Sequence, residues 1–263
     1  MRPNKLREAL DGGRPTMGTH VHSMWPSMVE VIGHTGVFDY VEFVAEYAPF
    51  DLHGLDNFCR AVELTGMSAV IKVDQQPRRF LAQRAIGAGF QSVLFADCRT
   101  VEDVEECVRA ARPDTPEAGG TYGATDRRFT YAWQGGSPEY VAALNDIVIA
   151  IMIEKRSAVD QLEQILSVDG VDMITWGGSD YSMSIGQPGA WSDPEVKAVE
   201  RDVIETALDM GVAPRIAIGS AEAAAYYLDM GVRNFTMGTD IAIVYTWLKE
   251  QGGDLQQLLD DYA

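Results

Sequence analysis

The stretch Ile147-Val148-Ile149-Ala150-Ile151-Met152-Ile153-Glu154 joins seven apolar residues to one carboxylate. The apolar run is far shorter than the ~20 residues of a membrane span, and it is rich in β-branched side chains. A strand that is apolar throughout, and not at alternate positions, is typical of a parallel sheet covered on both faces. This stretch therefore predicts a buried parallel strand that carries Glu154 at its C-terminal end.

Seven further strand-like runs lie on either side of this one and alternate with longer amphipathic segments. These runs are Thr16–His22, Tyr40–Glu46, Ala69–Asp74, Ser92–Asp97, Met173–Gly177, Arg215–Gly219 and Asn234–Gly238. The segments with helical spacing are Pro26–Thr35, Leu55–Thr65, Arg78–Gly87, Val101–Ala111, Ala158–Ser167, Pro194–Met210, Ala221–Met230 and Ile241–Leu259. Eight strand–helix units in 263 residues predict one (β/α)8 TIM barrel domain over residues 1–263.

A doubly wound open sheet is the alternative architecture for an alternating α/β pattern. Such a sheet normally has a glycine-rich phosphate loop after its first strand. Here the first strand ends in His20-Val21-His22-Ser23, without a GxGxxG motif. The closed barrel is therefore the favoured prediction.

The composition excludes several classes of partner. Lys and Arg number 21 against 39 Asp and Glu, and the net charge of −18 disfavours nucleic acid and anionic membranes. The three cysteines are an odd number without a zinc-binding spacing, so we expect free thiols. No apolar run of membrane length and no signal-peptide pattern is visible, so we expect a soluble cytoplasmic protein.

One long segment, 112–140, is rich in glycine and proline and lacks a clear periodic pattern. A loop of this length in a compact domain is usually a lid or an interface element. Arg127 and Arg128 could bind the distal end of an acidic substrate or a neighbouring subunit, although solvated loop charges are the simpler interpretation. Phe129, Tyr131 and Trp133 could cover the site.

Polar side chains gather just after the predicted strands, where the active sites of such barrels lie. They are His20, His22, Glu46, Tyr47, Lys72, Asp74, Asp97, Glu154, Asp180 and Asp240. Glu154 and Asp180 follow neighbouring strands and form a predicted site for a hard cation such as Mg²⁺ or Mn²⁺.

The residues around Asp180 predict a place for the substrate. The backbone amides of Gly177, Gly178 and Ser179 could form an anion nest beside the cation. Together with the cation they would bind a 2-oxo carboxylate. The aromatic side chains that flank Asp180, namely Trp176, Tyr181 and Trp191, are expected to line the same pocket.

Three groups of residues carry a family resemblance: Phe38-Asp39-Tyr40 with Ala45-Glu46-Tyr47-Ala48-Pro49, then Ile153-Glu154, then Gly177-Gly178-Ser179-Asp180-Tyr181-Ser182. The sequence resembles the metal-dependent class II pyruvate aldolases, which include the dihydroxyheptenedioate and 2-keto-3-deoxyglucarate aldolases. The resemblance implies a (β/α)8 barrel whose last helix is exchanged between subunits, usually in hexamers. It also implies that Glu154 and Asp180 bind Mg²⁺, Mn²⁺ or Co²⁺, and that this ion stabilises pyruvate as its enolate.

The sequence departs from this family at the groups that move protons. The family motif Asp-Gly-Glu-His-Ala-Pro is Val44-Ala45-Glu46-Tyr47-Ala48-Pro49 here, so its histidine is Tyr47. The family's arginine at the end of the third strand is Lys72, and the aspartate that partners the histidine falls near Gly87. This pattern indicates altered proton chemistry beside a retained metal site, with Glu46 as a substrate-binding residue.

Four residues are candidates for the missing chemistry. His20 and His22 share one face of a strand, and a histidine is the natural proton carrier near pH 7, although either could be structural. Tyr47 could donate a hydrogen bond, or act as a base if Lys72 or the cation lowered its pKa. Lys72 is interpreted as a cation for a carboxylate or an oxyanion, because a Schiff base would make the metal redundant.

Three functions remain open at this stage. The first is retro-aldol cleavage, or aldol addition, of a 4-hydroxy-2-oxo acid through a pyruvate enolate. The second is decarboxylation of an oxaloacetate-like acid, which needs no base to remove a hydroxyl proton. The third is a barrel that binds a metal and an oxo acid without catalysis. The aldehyde, the metal and the size of the assembly are left open.

Overall fold

Eight parallel strands, hydrogen-bonded in chain order, close on themselves as a barrel in the computed structural model, which describes residues 2–124 and 135–262. The strands are β1 (Thr16–Val21), β2 (Tyr40–Val44), β3 (Ser68–Val73), β4 (Ser92–Phe95), β5 (Val148–Ile153), β6 (Met173–Trp176), β7 (Ala213–Ile218) and β8 (Asn234–Thr239). The closed parallel barrel confirms the fold predicted from the continuous apolar strands, including the strand before Glu154.

Helices cover the outside of the barrel and close one of its ends. They are α1 (Lys5–Asp11), α2 (Pro26–His34), α3 (Leu52–Thr65), α4 (Arg78–Ala88), α5 (Val101–Ala111), α6 (Pro138–Asn145), α7 (Arg156–Val159), α8 (Leu162–Leu166), α9 (Gly178–Ser184), α10 (Pro194–Asp209), α11 (Ala221–Asp229) and α12 (Asp240–Asp261). The predicted helix Ala158–Ser167 is thus two short helices. Helices α1, α6 and α9 were not among the predicted segments.

Helix α1 closes the N-terminal end of the barrel. Asn4 caps it by accepting a hydrogen bond from the amide of Arg7, and the amide group of the same side chain donates to the carbonyl of Gln91 at 2.8 Å. Leu6 is buried in a cluster with Tyr40 and Val70 from the strands. The lower interior of the barrel is therefore a packed apolar plug, which leaves the C-terminal end of the strands as the open end.

The upper interior of the barrel is charged. Glu42 lies between Val41 and Phe43, which belong to the core cluster between the sheet and the helices, so its side chain points to the opposite face, inside the barrel. Glu42 and Arg215 are almost completely buried, and Lys72 on β3 is 6% exposed. Charged groups are rarely buried at this depth unless they are paired, which directs attention to the residues around them.

The C-terminal helix α12 is exposed along its length. Asp240 is its one buried residue, and every position from 241 to 262 is exposed. Its exposed apolar side chains are Ile241, Ile243, Val244, Tyr245, Trp247, Leu248, Leu255, Leu258 and Leu259, and the exposed Tyr262 follows its end. In the described ranges no helix combines the length and hydropathy needed to cross a membrane.

Two other predictions can be compared with the structure. Cys98 and Cys107 are free thiols, as expected, and Cys59 is buried like both of them. The predicted functional loop is described only in part. Its candidates Arg127, Arg128, Phe129, Tyr131 and Trp133 lie outside the described residues.

Candidate active site

Glu154 extends from the end of β5 into the open end of the barrel, and it is 2% exposed. Its Oε1 atom accepts the backbone N–H of Asp97 at 2.7 Å, whereas no hydrogen-bond donor among the described residues reaches its buried Oε2. Burial, with a contribution from the charge of Asp180, raises the pKa of Glu154 to about 7 against the opposing effects of Lys72 and Lys155. A buried carboxylate oxygen without a donor is a candidate ligand for a cation.

Gly177, at the end of β6, leaves room for this carboxylate. A Cβ atom at Gly177 would lie 2.6 Å from Cβ of Glu154 and 2.8 Å from its Oε2. The backbone N–H of Gly177 donates to the carbonyl of Ile153 at 3.0 Å, so it is not available to bind a ligand. Of the anion nest predicted over Gly177, Gly178 and Ser179, only the amides of Gly178 and Ser179 can therefore contribute. Both lie in the first turn of helix α9, which begins at Gly178.

Asp180 lies in the first turn of α9 and contacts a lysine that the sequence interpretation missed. Nζ of Lys155 lies 3.3 Å from Oδ1 of Asp180 and 3.1 Å from Oδ1 of Asp97. Asp97 has a positive φ of 58°, an unusual conformation for a residue other than glycine. Lys155 directly follows Glu154 in the chain, which was the available signal that it belongs to the site.

The residues at this end of the barrel fit a divalent cation with few protein ligands. Two carboxylates converge there, one oxygen of Glu154 receives no hydrogen bond from any described residue, and Gly177 keeps the approach to it open. The described residues contain no group of three or more His, Cys, Asp or Glu side chains that could hold a metal. Such a sparse carboxylate set suits Mg²⁺ or a similar ion that keeps waters and binds substrate oxygens.

Replacing Gly177 with alanine should therefore weaken divalent-cation binding. The added methyl group must displace the Glu154 carboxylate, and we expect a loss of roughly 10–100-fold in affinity, the usual effect of disturbing the support of a metal ligand. Titration calorimetry with Mn²⁺ would measure it. Gly219→Ala is the matched control, because no atom of the described residues lies within 4 Å of a Cβ there and its φ is not positive. Equal affinity in both variants would contradict this role for Gly177.

Lys72, Glu46 and Tyr47 form a second group at the same end of the barrel. Nζ of Lys72 makes an ion pair with Oε2 of Glu46, and it lies 4.8 Å from the centroid of the Tyr47 ring. Burial lowers the pKa of Lys72, but Glu46 more than offsets this and the net shift is upward. A Schiff-base lysine needs a depressed pKa, so the geometry favours a permanently charged Lys72.

Tyr47 does not have the properties of a base. Desolvation, with the negative charges of Glu46 and Asp180, raises the pKa of Tyr47 to about 12 although Lys72 acts in the opposite direction. Lys72 therefore does not bring this pKa below its ordinary value, and an effect of the cation on Tyr47 stays a prediction. Tyr47 keeps its hydroxyl proton at neutral pH and can donate it in a hydrogen bond to the substrate.

The two histidines of β1 have different surroundings. Nε2 of His20 lies 3.2 Å from Oε1 of Glu42, and Oε2 of Glu42 lies 2.5 Å from Nη1 of Arg215. Nδ1 of His22 instead lies 3.1 Å from Oγ1 of Thr239. Neither Glu42 nor Arg215 was among the site candidates, although a charged residue inside an apolar strand was the available signal.

The three aromatic candidates lie at different distances from the centre of the site. The rings of Trp176 and Tyr181 lie 4.9 Å apart between centroids, and Trp176 is partly buried at the end of β6. Trp191 is 53% exposed in a short 3-10 helix, Ala190–Ser192, and its Cβ lies 3.7 Å from a Cβ built on Gly178. Trp176 therefore lies beside Gly177 and Gly178, and Trp191 lies at the edge of the site.

Comparison with known proteins identifies the family. The profile of the HpcH/HpaI aldolase/citrate lyase family matches residues 16–245. A 4-hydroxy-2-oxo-heptane-1,7-dioate aldolase of Klebsiella pneumoniae is 27% identical over 242 residues, which cover 92% of this chain and 89% of that protein.

Two solved structures show the same fold. An HpcH/HpaI aldolase from Desulfitobacterium hafniense has a TM-score of 0.88 at 23% identity, covering 97% of both chains. A citrate lyase beta subunit of M. tuberculosis, complexed with oxaloacetate and magnesium, has a TM-score of 0.57 at 12% identity, covering 87% of this chain and 93% of that one. The family match confirms both the resemblance to aldolases and the predicted class of carbon–carbon lyases: this chain belongs to the HpcH/HpaI aldolase/citrate lyase family.

Proposed function

We propose that this lyase is a divalent-metal-dependent pyruvate aldolase that cleaves, or forms, a 4-hydroxy-2-oxo acid. The observation that carries the proposal is the Oε2 atom of Glu154, which is buried without a donor among the described residues, near Asp180 and beside a glycine that keeps its approach open. The name of the Klebsiella relative supports the substrate class, and the magnesium of the M. tuberculosis relative supports the type of ion.

Glu154 and Asp180 would hold the ion, which when bound supplies Lewis-acid polarisation of the substrate's 2-oxo group. The ammonium group of Lys155 contacts Asp180 and Asp97, so it balances part of the negative charge of this carboxylate cluster. Binding of a divalent ion to Asp180 then competes with Lys155. The affinity for the metal depends on this competition.

Lys72 provides the second positive charge of the site. Its side chain is 8% exposed, Glu46 holds it in place, and its charge faces Glu154 across the open end of the barrel. We assign to Lys72 the stabilisation of the negative charge that develops on the substrate oxygens. A fixed ammonium group in a partly buried site is well suited to this role. Glu46 therefore acts by positioning Lys72, and Trp176 with the amides of Gly178 and Ser179 borders the carboxylate end of the substrate.

The test is pyruvate release from a panel of 4-hydroxy-2-oxo acids and from oxaloacetate. Each substrate is assayed with the purified protein, with EDTA, and after Mg²⁺, Mn²⁺ or Co²⁺ is restored. We expect release from a hydroxy-oxo acid that EDTA abolishes and a divalent ion restores. Release that persists in EDTA would contradict the metal-dependent mechanism.

Decarboxylation of an oxaloacetate-like acid is the second candidate. It is favoured by one observation, the replacement of the family's histidine by Tyr47, whose pKa of about 12 prevents it from removing a hydroxyl proton. Pyruvate from oxaloacetate alone would support this candidate over the aldolase. Metal binding without turnover of any acid in the panel would instead indicate a barrel that binds an oxo acid without catalysis.

We also propose that α12 packs against a second copy of this chain, as the resemblance to the pyruvate aldolases implies. All of its residues from 241 to 261 are exposed, and nine of their side chains, named above, are large and apolar. A monomer rarely exposes a continuous apolar helix face of this kind. Helix exchange between subunits would bury this face and produce an oligomer, with a hexamer as the expected assembly.

Trp247→Glu should reduce the size of this assembly. Trp247 is 63% exposed in the single chain, and a charge at the same position is unfavourable if a partner buries it. Light scattering after size exclusion should show a smaller species with an unchanged circular dichroism spectrum. Gln256→Glu adds the same charge to the same helix and is the control. An unchanged mass for Trp247→Glu would exclude α12 as the interface.

A further inference from the structure

The structure assigns proton transfer to His20, with Glu42 and Arg215 as its positioning residues. This inference rests on the proposed aldolase and answers the question left by Tyr47, namely which group carries the proton. The three side chains come from β1, β2 and β7 and meet inside the barrel, below its open end.

The geometry selects one nitrogen of His20 as the base. Nε2 lies 3.2 Å from Oε1 of Glu42, whose pKa is held at about 2 because Arg215 and His20 outweigh the effect of burial. At 3.2 Å from an ionised carboxylate, which can only accept, a protonated Nε2 is favoured over a lone pair, so we assign the Nε2–H form to neutral His20. The lone pair of Nδ1, to which no described residue donates, can then remove a proton. The His20 side chain is 24% exposed, whereas that of Glu42 is 1% exposed, so the imidazole is the solvent-accessible member.

Arg215 keeps Glu42 charged and in place. Its Nη1 lies 2.5 Å from Oε2 of Glu42, its Nε donates to Oγ1 of Thr175 at 3.1 Å, and its Cζ lies 5.7 Å from the centroid of the Tyr40 ring. Burying an ion pair inside a barrel costs desolvation energy that an apolar pair of similar size would avoid. Stability alone therefore does not explain Glu42 and Arg215. A base oriented by a buried carboxylate is the arrangement found in enzymes that activate histidine.

His22 is held by a different network. Its Nδ1 contacts Thr239, and its backbone N–H donates to Asp240. Asp240 also accepts the N–H groups of Ser23 and Ile241, so its carboxylate fixes the junction of β1, β8 and α12. The charged groups that contact the two histidines are thus Glu42, itself paired with Arg215, at His20 and Asp240 at His22. Of the two pairs, only His20 with Glu42 faces the interior of the barrel.

The proton that His20 removes from the substrate is returned to the same substrate. Nδ1 takes the proton of the 4-hydroxyl group, the C3–C4 bond breaks, and the oxygen at C4 becomes the carbonyl of the released aldehyde. The electron pair of the broken bond passes to the pyruvate enolate. The imidazolium of His20 then returns the proton to C3, which becomes the methyl group of pyruvate. Glu42 stays ionised throughout and stabilises the imidazolium.

Exchange of the pyruvate methyl protons in D₂O with Mg²⁺ tests this step without an aldehyde. Wild-type protein should catalyse the exchange, and His20→Gln should lower its rate by about 10²–10⁴-fold, the usual contribution of a general base. His34→Gln, on the exposed end of α2, is the control and should exchange at the wild-type rate. No exchange by wild-type protein would overturn the proposed aldolase itself. Exchange by His20→Gln at the wild-type rate would overturn only the inference about His20.

A second measurement tests the positioning role of Glu42 and requires neither activity nor a bound metal. The ¹⁵N shifts of the His20 ring in the metal-free protein should show the Nε2–H form in wild type. Glu42→Gln should give a mixture of the two tautomers and a lower exchange rate. The amide can both donate and accept a hydrogen bond, so it does not fix the proton on Nε2. An Nδ1–H form in wild type would overturn the assignment. If Glu42→Gln does not fold, the wild-type spectrum and the His20→Gln rate still decide the question.

Discussion

Glu154→Gln is expected to lower kcat/KM for cleavage of the 2-oxo acid by on the order of 10³-fold. The amide keeps the size of the side chain but removes the charge that holds the cation. Loss of the Lewis acid costs several kcal/mol of transition-state stabilisation, and each 1.4 kcal/mol is about tenfold in rate. Calorimetry should show that the affinity for Mn²⁺ falls together with kcat/KM. Asp180→Asn should lower the affinity for Mn²⁺ in the same way.

The same substitution should stabilise the metal-free protein above neutral pH. The pKa of Glu154 is raised from 4.5 to about 7, so between these values the folded state binds more protons than the unfolded state. The free energy of unfolding therefore falls as pH rises through this window, by on the order of 3 kcal/mol in total. Glu154→Gln has no charge to bury and avoids this loss.

Thermal unfolding in EDTA at pH 5 and pH 8 measures this effect. We expect the melting temperature of Glu154→Gln to exceed that of wild type at pH 8 and the difference to shrink at pH 5. Mn²⁺ should raise the melting temperature of wild type alone. Glu163→Gln removes an exposed carboxylate from α8 and is the matched control. A variant less stable than wild type at pH 8 would contradict the burial cost assigned to Glu154.

Lys72→Met should lower kcat/KM by about 10²-fold or more. Methionine preserves the apolar stem but removes the one charge that Glu46 holds in the site, and fixed charges aimed at a developing oxyanion contribute roughly 3–4 kcal/mol. Lys72→Arg restores a cation, and it is the residue that the resemblance leads us to expect here. We expect it to retain activity within about tenfold of wild type.

The arginine variant also separates the two roles considered for Lys72. An enzyme that forms a Schiff base would lose all activity in Lys72→Arg, because a guanidinium cannot form the imine. Treatment of wild type with pyruvate and borohydride should leave the mass of the protein unchanged. Covalent labelling of Lys72, together with an inactive Lys72→Arg, would replace the metal mechanism with an imine mechanism.

The fold was predictable because its signals are local. A strand covered on both faces must be apolar throughout, as in 147–153, and the residue that follows it emerges at the open end of a barrel. These rules predicted every strand and placed Glu154, Lys72 and Asp180 at one end. They missed α1, whose role depends on Leu6 packing against Tyr40 and Val70 from distant parts of the chain.

The candidate site was less predictable where the environment determines the chemistry. Tyr47 was considered as a base if Lys72 or the cation lowered its pKa, but burial, with the charges of Glu46 and Asp180, raises the pKa of Tyr47 against the effect of Lys72. Lys155 was overlooked because its contacts, Asp97 and Asp180, come from other strand ends. Burial and the distances to groups from other parts of the chain, such as Lys72 and Asp180, decide the sign of such effects, and no local pattern contains them.

The sequence by itself determined the barrel, the acidic character of the protein and the residues that gather at the strand ends, because strand periodicity and side-chain chemistry are properties of neighbouring residues. Only the tertiary structure decided which of these residues meet. It showed Oε2 of Glu154 without a donor among the described residues, paired Lys72 with Glu46, and joined His20, Glu42 and Arg215 inside the barrel. Burial and charge–charge distance set the pKa and the role of each group, and both arise only when the eight strands close.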